Sequence, residues 1–130
     1  MRDEEAIRNL LAEYSMALCD SRWDDWAELF TEDGEMHTRG NVVKGRDALR
    51  VFIEKGHAGK DRPKPFTANI SIQVRDDQAD VRSDVYVMRA GAKFSLECMG
   101  RYTDVLRKRP DGWRIECRRI ELLFPSADAS

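Results

Sequence analysis

Ile7, Leu10, Leu11, Tyr14 and Leu18 recur three and four residues apart, which predicts an amphipathic helix over residues 3–19. A second helix is expected in DDWAELF, with Trp23, Trp26, Leu29 and Phe30 on its apolar side and Asp20 or Ser21 as its N-cap. Asp33-Gly34 should end it. A short strand, EMHT, follows. In VVKGRDALRVFIEKGHAG an apolar pair and a glycine precede a third helix carrying Leu49, Val51, Phe52 and Ile53. Beyond it the period changes from 3.6 to 2. FTANISIQV and ADVRSDVYVMR alternate across the turn RDDQ. AGAK reads as a turn before FSLECMGRYTDVLRK, and RPDG as a turn before WRIECRRIELLF.

Helices first and a long antiparallel meander afterwards define an α+β chain. The helices must cover one face of a curled sheet, and such curling leaves a conical cavity suited to a ligand. Residues 1–124 form one domain and residues 125–130 a tail, with no repeat and no linker.

Composition narrows the partners. Of 130 residues, 35% are charged and 42% hydrophobic, the balance of a globular domain. The net charge of −2 comes from 22 basic and 24 acidic residues spread along the chain, so no general attraction to nucleic acid or an anionic membrane is expected. No apolar run is long enough to span a bilayer, and MRDEEAIRNL does not read as a secretory signal. Cys19, Cys98 and Cys117 are odd in number and far apart, which suggests free thiols and a cytoplasmic setting. No His/Cys/Asp/Glu cluster has metal-ligand spacing along the chain, so neither metal nor cofactor is expected.

Tyr14 with Ala17-Leu18 and Asp20, DDWAELFTEDGE, the glycine of VVKGRDALRVFI, TANISI, ADVRSDVYV, RYTDV and DGWRIECRRIEL together cover nearly the whole chain. In these segments the sequence resembles the SnoaL-like branch of the nuclear transport factor 2-like superfamily. That resemblance implies a cone-shaped, cystatin-like α+β fold: a curved antiparallel sheet on three N-terminal helices, commonly dimerised through the outer sheet face. The fold hosts unrelated activities, among them ketosteroid isomerase, scytalone dehydratase, polyketide cyclases, hexachlorocyclohexane dehydrochlorinase, limonene epoxide hydrolase and non-catalytic transport factors.

Each activity can be tested against this chain. Asp20 matches the aspartate that orients a histidine base in the dehydratase and dehydrochlorinase branch, but the histidine position falls on Pro65. Arg118 matches that branch's basic residue in the last strand. Met36 stands near its pocket tryptophan. Tyr14 matches the oxyanion-donating tyrosine of ketosteroid isomerase, whose base falls near Thr38 and whose second oxyanion-hole acid falls near Gly100. Arg82-Ser83-Asp84 matches the Arg-x-Asp of the epoxide hydrolase, whose second aspartate falls near Arg119.

The residues themselves leave alternatives open. Tyr14 is an oxyanion donor in a dry pocket or a core phenol. Asp20 is an orienting or proton-transfer acid, or else a helix cap. Strand alternation puts one of Met36 and His37 inside, and matching Met36 to the pocket puts His37 outside. His57, near the end of the third helix, is expected exposed and favourable when protonated. Lys64 is a desolvated base or a solvated lysine at the cavity mouth. If Val81, Ser83, Val85 and Val87 face inward, Arg82 and Asp84 form a surface pair; one step of register reverses this. A buried Arg118 needs a carboxylate, either Asp20 or Asp104.

The functional expectation is a cofactor-free lyase or isomerase acting on an apolar ring or polyketide-like substrate. Asp20, Tyr14 and Arg118 are the catalytic candidates. Trp26, Met36, Val85, Val87, Tyr102 and Ile120 are the cavity walls. A non-catalytic binding or association module and an epoxide hydrolase are the alternatives.

Overall fold

The computed structural model describes residues 2–57, 63–90 and 93–125. Three helices, α1 (Asp3–Cys19), α2 (Trp23–Ala27) and α3 (Arg46–His57), are interleaved with and followed by six strands: β1 (Phe30–Thr38), β2 (Asn41–Lys44), β3 (Pro63–Arg75), β4 (Gln78–Ala90), β5 (Phe94–Arg109) and β6 (Gly112–Phe124). They form one sheet in the order β2-β1-β6-β5-β4-β3. β3 to β6 make the expected antiparallel meander. The sheet as a whole is mixed, because β1 runs parallel to β6. The intervening helices and meander let these distant strands lie side by side.

The α1–α2 junction differs from the expectation in an instructive way. Ser21 takes a left-handed backbone with φ 58°, Arg22 N–H donates to Ala17 O at 2.8 Å, and Ser21 N–H donates to Leu18 O at 3.3 Å. This pair of bonds is the Schellman ending of a helix, with Asp20 as the C-cap of α1. The N-cap of α2 is Arg22, whose side chain makes no capping hydrogen bond. Asp20 and Ser21 therefore end the first helix rather than start the second.

The second helix is also shorter than DDWAELF suggests, because Phe30 already belongs to β1. Asp33-Gly34 lies inside that strand, where the pairing with β6 shifts between Phe30 and Glu35. A Cβ on Gly34 would meet Phe30 Cβ at 2.9 Å and Ile115 O at 3.1 Å. The glycine is needed for close approach of β1 to β6, not to break a helix. Arg46, at the start of α3, fixes the same region by donating Nε and Nη2 to Phe30 O at 2.9 and 2.7 Å.

The core lies between α1 and the inner sheet face. Ile7, Leu10, Leu11, Tyr14, Ala17 and Leu18 from α1 meet Ala79, Val81, Val85, Tyr102, Leu106, Trp113 and Ile115 from the sheet. Trp113 Nε1 donates to Asp3 Oδ1 at 3.0 Å and ties down the N-terminal end of α1. Lys64 Nζ donates to Cys19 O at 3.0 Å and satisfies a terminal carbonyl at the other end. Half-buried Lys64 thus anchors the C-terminal end of α1. RDDQ and RPDG turn as expected, with Asp76 and Gly112 at positive φ. The AGAK turn falls partly, and the tail after Pro125 wholly, outside the described residues. No described helix is long and apolar enough to cross a membrane.

Candidate functional site

One row of registered residues crosses the inner sheet face: Val43, Met36, Arg118, Asp104, Val81 and Ile72. Two of the six are charged. Arg118 Nε donates to Asp104 Oδ1 and Nη2 to Asp104 Oδ2, each at 2.8 Å, a bidentate pair with both side chains essentially out of solvent. The guanidinium carbon lies 3.7 Å from the Tyr102 ring centre and 4.2 Å from that of Tyr14. The two rings meet edge-on at 6.0 Å. Trp26 packs on Tyr14 at 5.4 Å and on Phe30 at 4.9 Å. A desolvated cation against aromatic faces is worth about 2 kcal/mol or more per contact.

Electrostatics set the state of this cluster. Burial works against the Arg118 charge, but the Asp104 carboxylate more than offsets it and holds the guanidinium charged above its ordinary range. Burial pushes the Tyr14 phenol up, and Arg118 and the Trp26 indole N–H pull the other way. Burial likewise pushes the Tyr102 phenol up. Both phenols therefore remain neutral O–H donors at ordinary pH. Arg118 and Trp26 influence Tyr14 without full hydrogen-bond geometry, since Arg118 Nη1 and Trp26 Nε1 are buried with no partner. Ser83 Oγ, registered opposite Tyr102, is also buried and unpartnered. Arg118 Nη1, Trp26 Nε1 and Ser83 Oγ are thus each left without a partner, where a buried polar group ordinarily finds one.

The structure brings Tyr14 and Arg118 together with Trp26, Met36 and Tyr102, all buried. Val85 is buried further along the inner face, and Val87 and Ile120 are half-buried there. Asp20 stands apart: its carboxylate is 62% exposed and lies 3.5 Å from Arg22. The partner of Arg118 is Asp104, not Asp20. Sequence reasoning had Asp104 only as one option for that partner; the signal for it was its position in RYTDV, two residues after Tyr102.

Other assignments follow from register. Val81, Ser83 and Val85 pair with Asp104, Tyr102 and Gly100, so Arg82 and Asp84 face outward. Asp84 is buried there all the same, accepting from Asn69 Nδ2 and Arg101 Nε at 2.8 Å each. The register removes Asp84 from the cone and with it the geometric basis of the hydrolase match. His37, beside inward Met36, is on the outer face with Glu35 and Cys117. These three bring ligand atoms within 4.8 Å of one another, a cluster that linear spacing does not reveal. His57 is half-buried, with Nδ1 at 3.2 Å from Ile53 O and its ring 6.2 Å from Trp23. Burial lowers its pKa, so the expectation of an exposed, readily protonated histidine is corrected.

The sequence pattern of the SnoaL-like domain matches residues 1–119. The chain belongs to the SnoaL-like domain family. Among solved structures similar to this SnoaL-like chain is the function-unknown protein Rv3472 of Mycobacterium tuberculosis, 33% identical, with a TM-score of 0.88 over 93% of this chain and 72% of that one. An NTF2-like protein with a cystatin-like fold from Novosphingobium aromaticivorans is 29% identical, with a TM-score of 0.85 over 96% and 84%. A putative scytalone dehydratase from the same organism is 25% identical, with a TM-score of 0.83 over 94% and 85%. The cystatin-like fold expected from the sequence is thus the one described for the similar NTF2-like structure.

Proposed function

We propose that this SnoaL-like domain is a small-molecule lyase or isomerase that holds the oxygen of an apolar ring ketone or polyketide-like substrate against Tyr14 and Arg118. The observation that carries this reading is the fully buried guanidinium of Arg118, pinned by Asp104 through Nε and Nη2 yet left with Nη1 unpartnered. A preorganised donor in a dry site stabilises developing negative charge at little reorganisation cost. Tyr14, kept as a neutral phenol, supplies a second donor. Val85, Val87 and Ile120 provide apolar walls. Similarity to a putative scytalone dehydratase supports a reaction of this type.

Among the described residues the buried carboxylates are Asp84, on the outer face, and Asp104, committed to Arg118. This reading therefore places the catalytic weight on the oxyanion donors and none on Asp20. It is tested by screening apolar ketones and hydroxy-ketones for thermal stabilisation, then assaying turnover of the hits in wild type, Tyr14→Phe and Asp20→Asn. Tyr14→Phe is expected to lower kcat by about 100-fold with little change in Tm, and Asp20→Asn to remain active. Loss of turnover in Asp20→Asn with full activity in Tyr14→Phe would overturn the assignment.

A second reading, a non-catalytic ligand-binding module, is favoured by Pro65 at the histidine position and by the exposure of Asp20. It predicts saturable stabilisation by hits that are never turned over.

A further inference from the structure

Glu35, His37 and Cys117 sit on the outer face of the sheet, on the opposite side from Arg118. Glu35 is registered beside Cys117 across the parallel β1–β6 pair, and His37 is two residues along β1 on the same face. All three are half-buried, and their ligand atoms lie within 4.8 Å of one another. The His37 Nε2 to Glu35 Oε2 distance is 3.9 Å, too long for a hydrogen bond. His37 Nε2 is nevertheless shielded from solvent and has no hydrogen-bond partner. A buried imidazole nitrogen facing a carboxylate and a thiol without bonding either is costly to leave as it is.

We propose that Glu35, His37 and Cys117 form a binding site for a divalent first-row transition metal, with zinc as the natural fit. The donor set of one thiolate, one imidazole and one carboxylate is borderline in softness, which suits zinc and disfavours magnesium or calcium. Ligand atoms around tetrahedral zinc stand about 3.4 Å apart, given metal–ligand bonds of about 2.0–2.3 Å. The three groups need to close by about 1 Å, which side-chain rotation can supply without moving either strand. Three protein ligands leave one coordination position to solvent. The metal would clamp β1 to β6, the one parallel junction of the sheet, and would take no part in chemistry on the inner face.

One neighbour opposes binding in the metal-free arrangement. Arg119 Nη1 lies 3.5 Å from His37 Nδ1, which favours the tautomer with its proton on Nε2. Zinc on Nε2 transfers the proton to Nδ1 and turns this contact into donor against donor. Arg119 is exposed and free to swing into solvent. Cys117 loses its thiol proton to solvent as the sulfur–metal bond forms, so binding releases a proton.

The site is tested on the full chain, stripped with chelator, by zinc calorimetry and by cobalt(II) absorption. The expected result is one high-affinity equivalent per chain and a thiolate-to-cobalt charge-transfer band. Cys117→Ser should abolish the band, and both Cys117→Ser and His37→Gln should weaken zinc binding by about 100-fold. Cys98→Ser, on a different part of the sheet, should leave binding unchanged. Thermal melts without metal confirm that the variants fold, since all the replaced side chains are partly exposed. Absence of saturable binding below about 1 mM (about −4 kcal/mol), or equal affinity in wild type, Cys117→Ser and His37→Gln, would overturn the proposal.

Discussion

Two arginine–aspartate pairs lie on opposite faces of the same sheet. Asp104 and Arg118 are direct cross-strand neighbours on β5 and β6; Asp84 and Arg101 are direct cross-strand neighbours on β4 and β5. The bonding distance is 2.8 Å in both. Their surroundings differ. Arg118 and Asp104 are 1% and 0% exposed and are enclosed by Tyr14, Tyr102 and the helix layer, whereas Arg101 keeps 37% of its side-chain surface. Water can take the place of Asp84 as a partner of the half-exposed Arg101. It cannot reach the inner pair, so each inner charge depends on the other. The same two residue types, one strand apart, thus make a structural keystone with a chemical surface on one face and an ordinary half-solvated bridge on the other.

The sharpest way to break this comparison is to remove one carboxylate from each pair. Asp104→Asn strands the Arg118 charge and is expected to cost about 3–5 kcal/mol in urea unfolding. The double change Asp104→Leu with Arg118→Met should recover most of that loss, because well-packed apolar groups replace both charges. It should also abolish any ligand stabilisation. Asp84→Asn is expected to cost clearly less than Asp104→Asn, since Arg101 rehydrates. Equal losses would show that enclosure does not separate the two pairs.

A pH titration sharpens the outer half. Arg101, then Asn69, holds the Asp84 carboxyl below its ordinary value of 3.8. Its contribution to stability is therefore present above that value and is lost as pH falls through the lower folded value. Asp84→Asn should flatten this acid limb, read from urea midpoints at successive pH values.

His57 gives a smaller effect at milder pH. Burial lowers its pKa below 6.5, while the Ile53 carbonyl and Glu97 partly oppose the shift. A histidine kept neutral by the fold stabilises it above pH 6.5, and that stability declines as pH falls through 6.5 towards the folded value. His57→Gln should remove this dependence. The smallest effect is expected for Asp20→Asn, whose exposed carboxylate pairs only loosely with Arg22. A large change in its melting temperature would contradict the surface position of Asp20.

Much of the fold was legible before the structure. Helix α1, the period-2 strands β3 to β6 and two of their turns follow from hydrophobic spacing and turn chemistry. Errors gathered where short segments carry mixed signals. Asp20-Ser21 satisfies the preferences of an N-cap, yet the backbone uses it to close the preceding helix, because the Arg22 N–H reaches Ala17 O and the Ser21 N–H reaches Leu18 O. Asp33-Gly34 reads as a breaker, but its glycine is there to let β1 approach Ile115. Of the candidate site, Tyr14, Arg118 and the wall residues were readable from their faces and the family resemblance. Asp20 was placed in the site by the same resemblance, and the structure puts it in solvent.

By itself, then, the sequence determined which residues are buried along each helix and strand, because burial leaves a local period of 3.6 or 2. It determined that Arg118 needs a buried carboxylate, because a lone charge is too costly away from water. Only the tertiary structure chose Asp104 over Asp20, turned Asp84 away from the cone, and gathered Glu35, His37 and Cys117 on one patch. Those outcomes depend on strand register and on a parallel pairing between segments some eighty residues apart, and neither leaves a repeating mark along the chain.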